Sequence, residues 1–95
     1  FQYESNAVMQ DTYGWVQLKA GNSKEALQAL KRSVDLGPND ARVLYHLAEA
    51  YQQAGDTKNA QIELEKAFSL IKEQGEFVEI ARARELKQQL LSLAE

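Results

Sequence analysis

A shift of 34 residues brings the first part of this chain into register with its second part. Gly21 then meets Gly55, and Asn6 meets Asp40, so residues that end and cap helices recur together. The remaining matches pair Ala20 with Ala54, Lys24 with Lys58, Ala26 with Ala60, Leu30 with Leu64, and Leu36 with Leu70. Repeats of this length are typical of helical hairpins that stack and bury a continuous core between neighbours. The period therefore predicts an all-α fold.

Within each unit, apolar residues recur at spacings of three and four on both sides of the turn glycine, which predicts helix, turn and helix. The first unit has Met9, Tyr13, Val16 and Ala20, then Ala26, Leu30, Val34 and Leu36. The second unit has Val43, Leu44, Leu47, Ala48, Tyr51 and Ala54, then Ala60, Leu64, Ala67, Phe68 and Ile71. Asn22 and Asp56 follow the turns and are predicted to cap the second helices.

This arrangement resembles the tetratricopeptide-repeat family over residues 6–74. Positions within the two units are counted from Ala7 and Ala41. Small Gly14 and Ala48 match the family at position eight, and Tyr51 matches it at position eleven. Further matches are Ala26 and Ala60 at position twenty, Leu30 and Leu64 at position twenty-four, Ser33 and Ala67 at position twenty-seven, and Pro38 near the end of the first unit. Gln17 and Lys72 depart from the pattern. The resemblance implies one domain over residues 1–95, a right-handed α-solenoid fragment with repeat 1 at about 7–40 and repeat 2 at about 41–74.

The run from Asp11 to Trp15 resembles the terminal repeats of certain bacterial members of this family, including lipoproteins associated with exopolysaccharide and protein-sorting systems. This finer resemblance implies a periplasmic or envelope location for the parent protein. The residues alone leave the compartment open between cytoplasm and periplasm, since a chain without cysteine suits both. Because the chain begins at Phe1, we interpret it as a segment of a longer protein.

Residues 76–94 contain neither proline nor glycine and predict a closing helix. Arg82 stands where a third repeat would need a small residue, so the helix is interpreted as a cap. Its apolar residues form two stripes, with Phe77, Ile80, Ala81 and Leu91 on one side and Ala83, Leu86, Leu90, Leu93 and Ala94 on the other. One stripe can cover the second hairpin. The other either contacts another chain or another part of the parent protein, making Leu86, Leu90 and Leu93 candidates for self-association, or is buried because the helix bends or lies in a deep groove.

Composition excludes several functions. With 14 acidic and 11 basic side chains and a net charge of −3, the chain lacks the basic character of a nucleic-acid binder. The basic residues Arg82, Arg84 and Lys87 alternate with acidic ones, which favours a solvated face. No apolar run approaches the roughly 18 residues of a membrane-spanning helix, so we expect no membrane insertion of this segment.

The sequence offers little for catalysis. His46 is the sole histidine, and with no cysteine it makes a poor zinc site, so we interpret it as an ordinary surface or groove residue. The five glycines are dispersed as turn and packing residues and do not form a phosphate-binding loop. We therefore expect no enzymatic activity, no cofactor and no metal.

The resemblance implies that the first helices of the repeats line a concave surface. The partner-binding residues predicted there are Trp15, Lys19, Arg42, Tyr45, His46, Glu49 and Gln52. Trp15 and Tyr45 are the main candidates because aromatic side chains dominate many interfaces; alternatively, Trp15 packs against a preceding hairpin. A clamp for a terminal carboxylate is disfavoured, because Asp11 and Trp15 stand where lysine and asparagine would be needed. The predicted function is binding of a protein or peptide, with a capping or self-association segment and a small-ligand binder or enzyme as alternatives.

Overall fold

The computed structural model describes residues 7–37 and 40–94, with side chains through Ser92. These residues form five α-helices and no strands, which confirms the all-α prediction. The helices are α1 (Ala7–Lys19), α2 (Ser23–Leu36), α3 (Ala41–Gln53), α4 (Thr57–Gln74) and α5 (Ile80–Ala94). The cap predicted at Asn6, the turn at Pro38 and the side chain of Leu93 lie outside the described residues.

The turns between paired helices follow the repeat. Gly21 and Gly55 both have a φ of +87°, a conformation that residues with a Cβ rarely adopt. The Asp40 and Asp56 side chains accept hydrogen bonds from backbone amides at the starts of α3 and α4, so the capping predicted for Asp56 is confirmed. The cap predicted at Asn22 is wrong, because its side-chain nitrogen donates to Gln17 Oε1 at 2.8 Å instead.

Small residues set the distance between the two helices of each hairpin. Ala26, Ala48 and Ala60 are fully buried, and Gly14 is buried as well. A Cβ placed on Gly14 would lie 2.6 Å from Cγ of Leu30, which is itself fully buried. The helices of the first hairpin therefore approach more closely than any side chain at position 14 permits.

Two clusters of buried residues make up the core. The α1–α2–α3 core contains Leu18, Ala26, Leu30, Leu47 and Ala50. The α3–α4–α5 core contains Leu44, Tyr45, Ala48, Ala60, Leu64, Ala67, Ala83, Leu86 and Leu90. Because α3 contributes to both, it is the central helix of the structure.

The closing helix α5 contributes Ala83, Leu86 and Leu90 to the α3–α4–α5 core, and all three are at most 1% exposed. The prediction that Leu86 and Leu90 are available for self-association is therefore wrong, because the second hairpin already covers them. Phe77 and Ile80 also pack against this core, whereas Leu91 remains 50% exposed. Among the described helices, none is both long enough and apolar enough to cross a membrane.

The apolar stripe of α1 was expected to be buried, and this is also wrong. Met9, Tyr13 and Val16 are 40%, 51% and 57% exposed. In the second unit the counterparts of Tyr13 and Val16 are Leu47 and Ala50, which are buried in the α1–α2–α3 core. The difference arises because α3 has a hairpin stacked before it and α1 lies at the end of the described stack.

Replacing Gly14 with alanine tests the close approach of α1 and α2. Alanine favours a helix interior over glycine by about 1 kcal/mol, but overpacking a tight core typically costs about 1–3 kcal/mol. We expect Gly14→Ala to lower the free energy of unfolding in a urea titration, by up to about 2 kcal/mol. The exposed control Thr12→Ala on the same helix should change it by less than about 0.5 kcal/mol. A stabilised Gly14→Ala variant would contradict the packing described.

Candidate partner-binding site

Four aromatic rings form a continuous row of contacts across α1, α3 and the segment before α5. The Trp15 and His46 rings lie 4.0 Å apart between centroids and are tilted by 22°. The centroid of the Tyr45 ring lies 5.6 Å from that of His46 and 5.5 Å from that of Phe77. Lys19 places its ammonium group 4.4 Å from the centre of the Trp15 ring, within the range of a cation–π contact. The row connects the two hairpins to the closing segment.

His46 lies beneath the surface, and its ring touches a carboxylate at each nitrogen. The side chain is 1% exposed, so the prediction of a surface or groove residue is wrong. Nδ1 lies 2.7 Å from Asp11 Oδ1 on α1, and Nε2 lies 3.0 Å from Glu79 Oε2, one residue before α5. Since a carboxylate only accepts hydrogen bonds, both contacts are satisfied when both ring nitrogens carry a proton. His46 thus joins α1 and α3 to the closing segment.

Glu79 is the second centre of this network. Its two oxygens accept from Arg42, from Nε at 2.8 Å and from a terminal nitrogen at 3.1 Å. Burial disfavours the charged form, but the hydrogen bonds from Arg42 and His46 outweigh it and lower the pKa of the Glu79 carboxyl group below its ordinary 4.5. The carboxylate therefore stays ionised at neutral pH and holds the closing segment against α3.

Tyr45 lies in the interior of the structure and not on its surface. The side chain is fully buried, and its hydroxyl donates to Glu49 Oε2 at 2.6 Å. Burial, together with the hydrogen bond to Glu49, raises the pKa of Tyr45 well above its ordinary value, so the hydroxyl keeps its proton. Arg82 of α5 binds Glu49 from the other side at 2.8 Å. The prediction that Tyr45 contacts a partner directly is therefore wrong for this closed arrangement, because Phe77 and α5 cover the ring.

The remaining predicted residues reach the surface, at least in part. Lys19 and Arg42 are exposed, and Trp15, Glu49 and Gln52 are partly buried. Gln52 Oε1 is a buried acceptor with no hydrogen-bond partner among the described residues. Arg82 adds a 43% exposed guanidinium group to the same network. We call this surface the binding face and define it by Trp15, Lys19, Arg42, Glu49, Gln52 and Arg82.

Sequence reasoning placed Glu79 and Arg82 in the closing helix but not at the site. A signal for both was present, because each lies 33 residues after its partner on α3, with Glu79 following His46 and Arg82 following Glu49. This separation is one residue short of the repeat period.

The described residues provide no group of three or more histidine, cysteine or acidic side chains placed to hold a metal ion. One open groove of about 580 Å³ runs between α4 and α5 and is lined partly by Leu64, Phe68 and Leu90. A smaller one of about 310 Å³ lies beside Ala41 and Phe77. His46 lines neither of these two grooves.

Replacing Glu79 with glutamine tests the network. Hydrogen bonds to charged groups contribute about 1.5–3 kcal/mol, so we expect Glu79→Gln to lower the free energy of unfolding at pH 7 by about 1–3 kcal/mol. The control Glu76→Gln affects a surface pair with Arg84, each side chain being 57% exposed, and should cost less than about 1 kcal/mol.

The role given to Glu79 also predicts that the stability lost in Glu79→Gln depends on pH. Because the pKa of Glu79 is lowered on folding, its carboxylate stabilises the fold above pH 4.5, and this contribution is lost as the pH falls through the folded-state pKa. The difference in unfolding free energy between wild type and Glu79→Gln should therefore shrink below pH 4.5. Urea titrations at several pH values, followed by circular dichroism, measure this difference in unfolding free energy. A difference that is constant over this range would contradict the role given to Glu79.

Comparisons with known proteins agree with the helical repeat. A family model described as a tetratricopeptide repeat matches residues 17–77. The chain is 37% identical over 57 residues to cellulose synthase operon protein C of Escherichia coli K12, and equally to the putative protein of that name in Escherichia coli O157:H7. The match covers 60% of this chain but only 5% of each relative. No solved structure matches this chain at the significance threshold that these two relatives meet. Because the family model covers more than half of a chain whose helices pair as the repeat requires, this protein belongs to the tetratricopeptide-repeat family.

Proposed function

We propose that this chain is a protein-binding module of a longer bacterial repeat protein and that a protein or peptide partner docks on the binding face. The observation that supports this most directly is the environment of the Trp15 ring. Its ring is partly exposed, yet it is stacked on a buried His46 and bordered by the exposed Lys19. A large ring held in one orientation loses little conformational entropy when a partner covers it.

Charged groups at the edge of the binding face favour a polar partner segment. Arg42 and Arg82 are 47% and 43% exposed even though each binds a carboxylate. Each guanidinium group retains N–H donors that a carboxylate or carbonyl oxygen of the partner would accept. The mechanism is rigid display of side chains, and it requires no covalent chemistry.

The buried network beneath the face supports this role. Tyr45 and His46 were expected to touch the partner, and instead they fix the positions of Trp15 above them and Glu79 beside them. Preorganisation of this kind raises affinity because fewer side chains must be ordered on binding. The two residues are therefore proposed as support for the binding face.

The relatives suggest what the parent protein is. They are named for a cellulose synthase operon, and this chain corresponds to a small fraction of their length. The parent is accordingly proposed to be a long repeat protein that works alongside a polysaccharide-synthesising system, with this segment as one end of its repeat array.

A capping role is the second candidate, and one observation favours it. The closing helix α5 buries Ala83, Leu86 and Leu90 against the second hairpin and covers part of that hairpin's apolar surface. Terminal repeats need such a cover to remain soluble. Capping and binding are compatible, because α5 covers the end of the stack and also contributes Arg82 to the binding face.

A charge-reversal pair tests the binding proposal. Lys19→Glu changes the binding face, whereas Lys24→Glu makes the same substitution at an exposed position of α2. With the chain immobilised as bait in an extract of its native cells, we expect Lys19→Glu to reduce capture of the partner at least tenfold, about 1.4 kcal/mol. Capture by Lys24→Glu should equal that by wild type. Equal capture by all three proteins would overturn the assignment of the binding face, and capture by none would favour the capping role.

A further inference from the structure

The open groove of about 580 Å³ between α4 and α5 shares no lining residue with the binding face. On α4 it is lined by one face of the helix from Gln61 to Lys72, and on α5 it is lined by residues that include Lys87 and Leu90. Gln61 donates a hydrogen bond to the carbonyl oxygen of Leu90 at 3.0 Å, and the Lys87 ammonium group lies over the Phe68 ring. The two helices are therefore antiparallel along the groove.

The basic residues of the groove lie at one end. The Lys87 ammonium group is 4.9 Å from the centre of the Phe68 ring, and Lys72 is one turn after Phe68 on the same face of α4. Both lysines are exposed, and neither forms an ion pair with a carboxylate of the described residues. The acidic lining residue, Glu65, lies about 10 Å before Lys72 along the helix axis, at 1.5 Å per residue. This end of the groove therefore favours an anionic group.

The rest of the groove is mainly apolar. Leu64 and Leu90 line it with buried side chains, which are 2% and 1% exposed. Phe68 is partly buried, and Leu91 is 50% exposed. A basic end and an apolar length together match a molecule that has one anionic head and one apolar chain.

The dimensions of the groove disfavour a helix as the occupant. From Gln61 to Lys72 the groove is about 16 Å long, at 1.5 Å per residue. A volume of about 580 Å³ over this length corresponds to a mean cross-section of about 36 Å². A helix is about 10–12 Å across with its side chains, and its cross-section of about 80–110 Å² is more than twice as large. The groove therefore fits a single extended chain.

An extended peptide is disfavoured for a different reason. Its backbone N–H and C=O groups would need hydrogen-bond partners, whereas the backbone groups inside α4 and α5 already bond to each other. A hydrocarbon chain brings no polar groups into the groove. Because an extended chain advances about 3.6 Å over the three backbone bonds of a residue, or about 1.2 Å per bond, about twelve carbons span the groove.

We propose that this groove binds a free long-chain carboxylate, a fatty-acid-like molecule with a chain of about twelve carbons. Its carboxylate lies at Lys72 and Lys87, and its chain lies along Phe68 and Leu91. The proposal goes beyond the proposed function, because it concerns another surface and another class of ligand. Either proposal can therefore fail while the other holds.

Isothermal titration calorimetry with dodecanoate, below the concentration at which it forms micelles, tests the proposal. We expect dodecanoate to bind at least about tenfold more tightly than hexanoate, because the longer chain buries more methylene groups. Dodecyltrimethylammonium has a chain of the same length and a cationic head, so it should bind at least about tenfold more weakly than dodecanoate. In amide NMR spectra, dodecanoate should shift the signals of Phe68 and Lys87 and leave that of Lys19 unchanged.

A variant with a blocked groove provides the first matched comparison. Leu91→Glu introduces a carboxylate beside the apolar chain and should weaken dodecanoate binding at least about tenfold. Val78→Glu makes the same kind of change at a position that is 91% exposed and outside the groove, and it should leave binding unchanged. Because both positions are exposed, circular dichroism should show that both variants are folded.

The lysines provide the second comparison. The double variant Lys72→Gln, Lys87→Gln should weaken dodecanoate binding at least about fivefold, because the carboxylate loses its charged donors. The control Lys24→Gln, Lys58→Gln removes the same charge from exposed positions outside the groove and should bind as wild type does.

Four results would overturn the proposal. The first is equal affinity for dodecanoate and hexanoate, or no binding of either. The second is dodecanoate binding that Leu91→Glu leaves unchanged or that both lysine pairs weaken equally. The third is binding to anionic phosphatidylglycerol vesicles without binding of free dodecanoate, which would make a membrane surface the occupant. The fourth is a dimer in light scattering that Leu91→Glu dissociates, which would make a second copy of the chain the occupant. Partner capture with Lys19→Glu is measured separately, so failure here leaves the proposed function untouched.

Discussion

The buried contact of His46 with two carboxylates joins α1 and α3 to the segment that leads into α5. Asp11 comes from α1, His46 from α3 and Glu79 from the turn that leads into α5. Arg42 adds a second cation, so that with both ring nitrogens protonated the group holds two positive and two negative charges. Charges removed from water are costly unless they are paired and hydrogen-bonded. The pairing therefore fixes which residues of the closing segment meet α3, while apolar burial of α5 supplies the attraction.

This arrangement explains why a short array keeps a defined binding face. The rings of Trp15 and His46 are stacked, and Glu79 and Arg82 hold the closing segment beside them. Removing one partner from such a network leaves a buried polar group unsatisfied, which costs free energy of folding. A partner that docks on Trp15, as proposed, would meet a surface whose position depends on α1, α3 and the closing segment.

The repeat in the sequence was sufficient to predict the hairpins and their close packing. Gly21 and Gly55 end the first helices with the same positive φ, and Gly14 allows the close approach to Leu30. These features depend on residues near in sequence or one period apart. They could be predicted because glycine conformation and side-chain volume are local properties.

Features that depend on the position of the closing helix could not be predicted in this way. Leu86 and Leu90 belong to one of two apolar stripes, and helical periodicity does not tell which stripe meets the second hairpin. The burial of His46 follows from that same choice, because Glu79 reaches it only when α5 packs on α4. Periodicity on α1 grouped Tyr13 and Val16 into one apolar stripe, but it carries no information on whether a neighbour is present to cover that stripe.

The central claim is that the closing segment lies over α3 and covers Tyr45 and His46. Nuclear Overhauser effects between ring protons measure this most directly in solution. The account predicts cross-peaks between the Tyr45 and Phe77 rings, whose centroids lie 5.5 Å apart, together with cross-peaks between His46 and Trp15 at 4.0 Å. If the His46 and Trp15 cross-peaks appear while Phe77 shows none to Tyr45 and has the chemical shifts of an unfolded chain, the closing segment is not docked and the account is wrong.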